Sequence, residues 1–521
     1  MLRVFELHPR SINTTIYRTK LMNSLVINSV EFCNNTKGYK FLPFRFKQLS
    51  SSKVLLTNTG GEFVFLDRRQ FEQFVNNKLL TEDSVYKILK SKSFLRDDSA
   101  THLEQLASRF WTKKSSLCGF TKLHIFVLTL RCNCSCTYCQ ASRQDEDVGQ
   151  HYDMNIETAR RSVEIMMQSP APEITVEFQG GEPLLNFSAL REIVKYAKEL
   201  NKEVNKKLSF VVCTNLSLLT DEILTFFKEE GVLISTSVDG PERLHNWNRC
   251  RKIKSATFDV VSKNIKRCQE FLGMHAVSAL MTTTRASLEQ PEKIVDEYVK
   301  LSFRSMFIRA LNPYGFAVKT SKSIGYSVEE FVDFYKKTLN YILSLNKKGI
   351  VFSEAFTTML LKKILTPWTV GFVDLQSPTG NGFSVTVYNY DGDVYASDES
   401  RMLNEMGDAQ FRLGNVFSDS YKDIYFGSAM QLLGSVGVAE CLAGCSECPF
   451  VPYCGSDPVR HYATQRDAYG NRATSDFCKK YSLIFEHLFE LLSQCDQETE
   501  QILWSWIRET SLEEIRLEEN Q

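Results

Sequence analysis

The feature that most constrains this chain is an alternation of strand and helix signals between residue 122 and about residue 315. The strand candidates are LHIFVLTL (123–130), ITVEFQGG (174–181), SFVVCTN (209–215), VLISTSVDG (232–240), AVSALMTTT (276–284) and SMFIRALNP (305–313). Helical periods fill the gaps at Asn155–Gln168, with Asn155 as N-cap, and at Ala189–Leu200, Thr220–Glu230, Asp259–Leu272 and Pro291–Leu301. Repeated strand–helix units imply parallel strands joined by right-handed crossovers, hence an α/β barrel or open sheet. Six units fall short of the eight that close a full barrel. The expected fold class is α/β, with a partial (β/α)6 TIM-like barrel at its centre.

The flanks have a different texture. Residues 1–115 begin irregularly, then read as a hairpin: KVLLTN (53–58), a Thr-Gly-Gly turn and EFVFL (62–66). Two amphipathic helices follow, around Arg68–Leu79 and Ser84–Phe94, so a small α+β module of winged-helix-like type is expected there. The barrel is assigned to 116–325. A strong helix, Val328–Leu345, leads into a third region, 326–495, with a hairpin at 383–397 and a Cys-rich stretch at 441–478. Residues 496–521 read as a C-terminal helix or acidic tail.

Lys+Arg and Asp+Glu are both 62, so the formal net charge is zero. The basic excess of a protein that tracks nucleic acid is missing, which argues against nucleic-acid partners. No apolar run approaches the roughly 18 residues of a membrane span. The first residues, MLRVFELHPRSINTTIYRTK, lack the apolar stretch and cleavage site of a signal peptide. A cytoplasmic location, where thiols stay reduced, is expected, with no membrane partner.

Fifteen cysteines then need another explanation than disulfides. Cys33, Cys118, Cys134, Cys213, Cys250, Cys268, Cys441 and Cys495 are scattered and read as small buried apolar side chains. The other seven fall in two dense groups, which in a reducing compartment point to metal. Directly after the first barrel strand, Cys132, Cys136 and Cys139 give C-x3-C-x2-C. Closed zinc sites want four ligands, whereas three thiolates can take three irons of a [4Fe-4S] cube and leave the fourth vacant. The loop also sits where strand–helix barrels carry their sites, at the C-terminal end of a strand. Near the C-terminus stand Cys445, Cys448 and Cys454, spaced C-x2-C-x5-C, with Cys478 downstream. Four thiolates suit a structural zinc and an iron–sulfur cluster equally well.

The first group resembles the cluster loop of the radical S-adenosylmethionine (SAM) family. Later strand ends strengthen the likeness: Gly180-Gly181-Glu182-Pro183, Thr214-Asn215 and Ser237-Val-Asp239-Gly240. The resemblance implies a [4Fe-4S] cluster on Cys132, Cys136 and Cys139 whose open iron chelates SAM. It also implies Tyr138 near the adenine, Gly180, Gly181 and Glu182 at the methionine amine, Asn215 as a polar contact, Ser237 and Asp239 at the ribose, and Arg309 facing the cavity. The second group resembles the SPASM extension of peptide-modifying relatives, which implies one auxiliary [4Fe-4S] cluster on Cys445, Cys448, Cys454 and Cys478. Cysteines that build a further cluster in that family are replaced here by Ser397 and Pro458. Asp398 aligns with a carboxylate that serves as proton acceptor in anaerobic sulfatase maturases, and is the candidate catalytic residue.

The segments VLLTNTGGEFVFL (54–66), RALNPYGFA (309–317), DGDVYASDESRML (391–403) and CGSDPVRHYATQ (454–465) resemble the maturases of the His-Xaa-Ser peptide system. That implies an enzyme of oxidoreductase type, in which a 5′-deoxyadenosyl radical abstracts hydrogen from a ribosomally made peptide to install a crosslink or oxidation. Its partners would be the peptide, an electron donor such as flavodoxin or ferredoxin, and a second maturase. The N-terminal module would hold a leader peptide by strand addition. The rival readings are modification of a folded protein, as in sulfatase maturases, or of RNA, and a non-catalytic zinc-binding scaffold.

Overall fold

The computed structural model describes residues 38–97, 101–251 and 257–519. The first residues of the chain, Cys33 among them, lie outside that range. So do the side chains of Cys118 and Cys250.

All six expected barrel strands form, and they lie parallel in chain order: Leu123–Thr129, Glu173–Gly180, Lys207–Cys213, Val232–Ser237, Val277–Thr282 and Ser305–Arg309. The first is buried almost throughout, as a parallel strand covered on both faces must be. The second alternates, turning Glu177 and Gln179 toward the interior of the curved sheet and Ile174, Val176 and Phe178 toward the helices. The helices between strands bury apolar faces on that outer side, where Phe126, Phe178, Ile193, Phe210, Ile265 and Ile294 share one core. Fully burying side chains of this size contributes about 1.5–3 kcal/mol each. Asn155 caps its helix as expected, its Oδ1 accepting from the Thr158 amide at 2.8 Å.

The sheet extends further than six strands. Ser353–Glu354 adds to the last strand in parallel. On the opposite edge, Val385–Tyr388 pairs in parallel with Leu123–Thr129, and the hairpin partners Asp393–Tyr395 and Arg412–Asn415 continue from it, giving ten strands. The hairpin read at 383–397 is therefore a continuation of the barrel sheet. Among the described residues the two outermost strands do not pair, so the barrel stays open.

The N-terminal module is a three-stranded antiparallel sheet, Phe44–Gln48, Lys53–Asn58 and Phe63–Asp67, followed by helices Arg68–Val75 and Ser84–Ser91. The sequence reading missed its first strand. Asp67 caps the first helix, accepting from the Gln70 amide at 2.7 Å. One face of the module packs against the C-terminal Cys-rich segment: Thr57 Oγ1 donates to the Pro449 carbonyl at 2.7 Å, and Tyr453 donates to the Gly61 carbonyl at 3.1 Å. Phe63 meets Phe489 edge-on at 5.2 Å. Of the C-terminal helices, Gln497–Arg508 buries Ile502, Leu503 and Trp506 in the main core, while Leu512–Glu519 carries the acidic surface. Among the described residues no helix is long and apolar enough to cross a membrane.

Candidate active site

The loop after the first strand is fastened before its cysteines are placed. Arg131 grips Asp153 through two donors, Nε at 2.9 Å and Nη2 at 2.5 Å, and Thr129 Oγ1 donates to the same carboxylate at 2.6 Å. Such bidentate, charge-assisted pairs are the strong ones. Further on, Cys134–Cys136 pairs antiparallel with Arg249–Arg251, and the Phe316 amide donates to the Cys139 carbonyl at 2.8 Å. Held this way, Cys132, Cys136 and Cys139 border one cavity of about 200 Å³ at the C-terminal end of the sheet.

Gly180 and Gly181 line the same cavity, and their need for glycine has a specific source. Gly180 has φ +142°, and a Cβ there would lie 2.1 Å from the Thr129 carbonyl oxygen. At Gly181 it would lie 2.2 Å from the Arg131 oxygen. The Gly181 and Glu182 amides donate to those carbonyls at 2.7 and 2.8 Å, so the turn laces directly onto the cysteine loop. Glu182 is buried; its carboxylate accepts from Thr214 Oγ1 at 2.6 Å and the amides of Asn215 and Leu184 at 2.8 and 3.1 Å. Glu182 thus ties the second and third strand ends together instead of facing the cavity.

Tyr138 and Asp239 meet each other. The Tyr138 hydroxyl lies 2.7 and 2.9 Å from the two Asp239 oxygens, and Arg249 Nη1 donates to the Tyr138 oxygen at 2.7 Å. Burial raises the Asp239 carboxyl, and the nearby Arg249 charge opposes that rise. Ser237 and Asn215 do border the cavity. The Asn215 amide also holds the cysteine loop, donating to Asn133 Oδ1 at 2.9 Å and to Cys134 Sγ at 3.4 Å. Cys134, read as filler, borders the cavity too, and its backbone amide donates to Cys132 Sγ at 3.4 Å. Cys213 also lines it, whereas Cys268 is core as expected.

The second cysteine group closes on itself. Cys445, Cys448, Cys454 and Cys478 border one enclosed pocket, three from consecutive tight turns and the fourth from the capped first turn of the helix Asp476–Gln494. Burial pushes the thiols of Cys445 and Cys448 up, and that of Cys454 to about 12. Cations oppose the shift: Arg472 Nε donates to Cys445 Sγ at 2.9 Å, Lys47 faces Cys448 and Lys363 faces Cys454. Among the described residues no three His, Cys, Asp or Glu side chains converge tightly enough to grip one metal ion. Four thiolates around one pocket suit a structural zinc and an iron–sulfur cluster alike.

Asp398 borders the first cavity and pairs with Arg401 at 3.2 Å. Ser397, where the family pattern has a cysteine, is the N-cap of the helix Asp398–Glu405, accepting from the Ser400 amide at 3.2 Å. Arg309 borders the cavity. Two residues escaped the sequence reading. Arg249, whose guanidinium joins the cavity wall, had as its only signal a position shortly after the Ser-Val-Asp-Gly turn. Glu399 is half-buried on a cavity wall, where desolvation first, and then Asp374, Asp398 and Asp457, push its carboxyl up to about 8. Between the ordinary 4.5 and about 8 the folded state binds more protons than the unfolded one, so this group lowers stability as pH rises through that window. Glu399→Gln should therefore raise the unfolding free energy near pH 8 by on the order of a few kcal/mol, seen as a higher melting temperature, and leave it unchanged near pH 4.5. Calorimetry at the two values checks this.

Residues 126–298 match the family model of the radical SAM superfamily. The serine-type anaerobic sulfatase-maturating enzyme of Bacteroides thetaiotaomicron is 22% identical over 377 residues, 68% of this chain and 86% of that enzyme. The structure of native anSMEcpe with bound AdoMet superposes with a TM-score of 0.59 at 20% identity, covering 72% of this chain and 98% of that one. Streptococcus suis SuiB bound to precursor peptide SuiA gives 0.50 at 14% identity, covering 85% and 100%. These likenesses establish a shared fold.

Proposed function

The chain carries a radical SAM domain, related to known enzymes of a superfamily that works with a [4Fe-4S] cluster and SAM, and on that premise we propose that it is a peptide maturase. The observation that carries the reading is one cavity bordered by Cys132, Cys136 and Cys139, by the Gly180-Gly181 turn and by Arg249. Those residues would hold a [4Fe-4S] cluster and SAM, which would supply the chemistry of hydrogen-atom abstraction from a substrate. The remaining tasks fall to the protein. The backbone around Gly180 and Gly181 offers polar groups to the methionine end of SAM. Arg249 offers a cation to its carboxylate and Ser237 a polar atom to the nucleoside, while Asn215, whose amide is taken up by Asn133, Cys134 and Ser217, holds the cysteine loop. Tyr138, held by Asp239, shapes the wall beside them; Glu182 and Asp239 act as positioning residues. Cysteines 445, 448, 454 and 478 would hold one auxiliary cluster, an acceptor for the electron left on the substrate.

A peptide substrate is favoured by the N-terminal module, whose outer strand Phe44–Gln48 pairs on one side with Lys53–Asn58. Strand addition at such an edge is a common mode of peptide capture. SuiB, of similar fold, is known in a complex with its precursor peptide. Deleting the module would strip cover from Tyr453 and Phe489, so hydrogen exchange is the cleaner test. A short peptide encoded beside this chain should emerge from co-expression with altered mass, and its binding should slow exchange at 44–48. Unaltered mass refutes the maturase reading, and unchanged exchange refutes the leader site. Modification of a folded protein, as a sulfatase maturase does, shares every feature of the first cavity; only the substrate distinguishes it.

A further inference from the structure

Behind Arg309 lies a second cavity, of about 420 Å³, within the roughly 300–1,000 Å³ typical of ligand sites. Ser235, Leu280, Arg309 and Asn312 border both cavities, so the second continues from the first. Part of its wall is aromatic: the rings of Phe307, Phe356 and Phe372 stand 5.8, 6.0 and 6.4 Å apart in pairs, with Tyr481 6.1 Å from Phe356.

The ionisable side chains on the wall are two acids, Asp374 and Glu399, and two bases, Arg309 and Lys480, with burial pushing Glu399 up to about 8 and Lys480 down to about 7. Asp374 is approached by the Tyr481 hydroxyl at 3.5 Å. Glu399 differs: among the described residues no hydrogen-bond donor or ion-pair partner reaches its carboxyl, although it borders the open space. Burial beside Asp374, Asp398 and Asp457 leaves it protonated at neutral pH, able to donate and accept, with Arg309 opposing the shift. A polar group left single at the edge of an aromatic cavity calls for a ligand that brings both a ring and a hydrogen-bonding edge.

We propose that this second cavity seats the side chain to be modified, and that it selects an aromatic ring with a polar edge, its face on Phe307 and Phe372 and its edge on Glu399. An aliphatic side chain would leave Glu399 single. The proposal rests on the radical reading of the first cavity, because only a neighbouring radical makes this the place of modification.

The test is binding of small probes to the full-length, cluster-reconstituted protein with SAM present, followed by calorimetry or saturation-transfer NMR. N-acetyltyrosinamide should bind at least about threefold tighter than N-acetylleucinamide, the margin an aromatic contact adds. It should bind about fivefold tighter than N-acetylphenylalaninamide, the margin of one neutral hydrogen bond. Glu399→Leu should erase the second margin and keep the first, and Phe372→Leu should weaken both ring probes. Equal binding of the leucine probe, no binding of the tyrosine probe, or a tyrosine-over-phenylalanine margin that survives Glu399→Leu would each overturn it. Radical formation is read separately, as 5′-deoxyadenosine, so a dead holoenzyme with the expected probe pattern sinks the function and not the pocket.

Discussion

Replacing Cys132, Cys136 and Cys139 together by alanine should cut 5′-deoxyadenosine formation by at least about a thousandfold, some 4 kcal/mol of barrier. The three thiols are separate from the barrel core: they border the cavity from a loop anchored by Arg131, Thr129 and Asp153. The fold should therefore survive, with an unchanged circular dichroism spectrum. Iron should fall from about eight to about four per chain, since one cube is lost and the other kept. Replacing Cys445, Cys448 and Cys454 instead should lower iron by a similar amount but leave uncoupled SAM cleavage. Iron analysis and chromatography of the nucleoside separate the two. Retention of SAM cleavage in the first variant would mean that the cluster sits elsewhere.

The second large effect is expected from a single methyl group. Gly181→Ala places a Cβ 2.2 Å from the Arg131 oxygen and 2.6 Å from that of Leu130. Neither strand can move aside, because the Gly181 amide bonds Thr129 and the Glu182 amide bonds Arg131 across the same gap. Overpacking of this kind typically costs about 1–3 kcal/mol. The larger consequence is for the loop, since displacing reacting groups by 1 Å costs on the order of a hundredfold in rate. The variant should melt earlier, take up less iron in the first site, and cleave SAM about a hundredfold more slowly. Gly231→Asn is the control: its φ of +70° is tolerated by asparagine, and nothing lies within 4 Å of an added Cβ. If Gly181→Ala behaves like the control, the lacing between turn and loop has no functional weight.

What the sequence made legible were features with a strong local period or a fixed spacing. The six parallel strands were readable because each is a short apolar run bounded by turns, and the C-x3-C-x2-C loop because ligand spacing is local. The strands Val385–Tyr388 and Ser353–Glu354 were harder. Their place on the sheet depends on pairing with residues far off in the chain, and a two-residue strand has no periodicity to detect. The site residues divide in the same way. Glycines, cysteines and several polar side chains at strand ends border the cavity, but who bonds whom did not follow from position. Asp239 was expected at a ribose and is engaged by Tyr138; Glu182 was expected at an amine and ties two strand ends. Glu399 gave no signal at all, because its raised pKa comes first from burial in the folded chain and then from carboxylates of which Asp374 and Asp457 are distant in sequence.

The most direct test of the account is whether full-length protein, reconstituted anaerobically with iron and sulfide and given SAM with a low-potential reductant, releases 5′-deoxyadenosine. Steady release that depends on both reductant and SAM is the predicted result. A brown, fully loaded protein that leaves SAM intact, or a protein that takes up no iron at all, would contradict it.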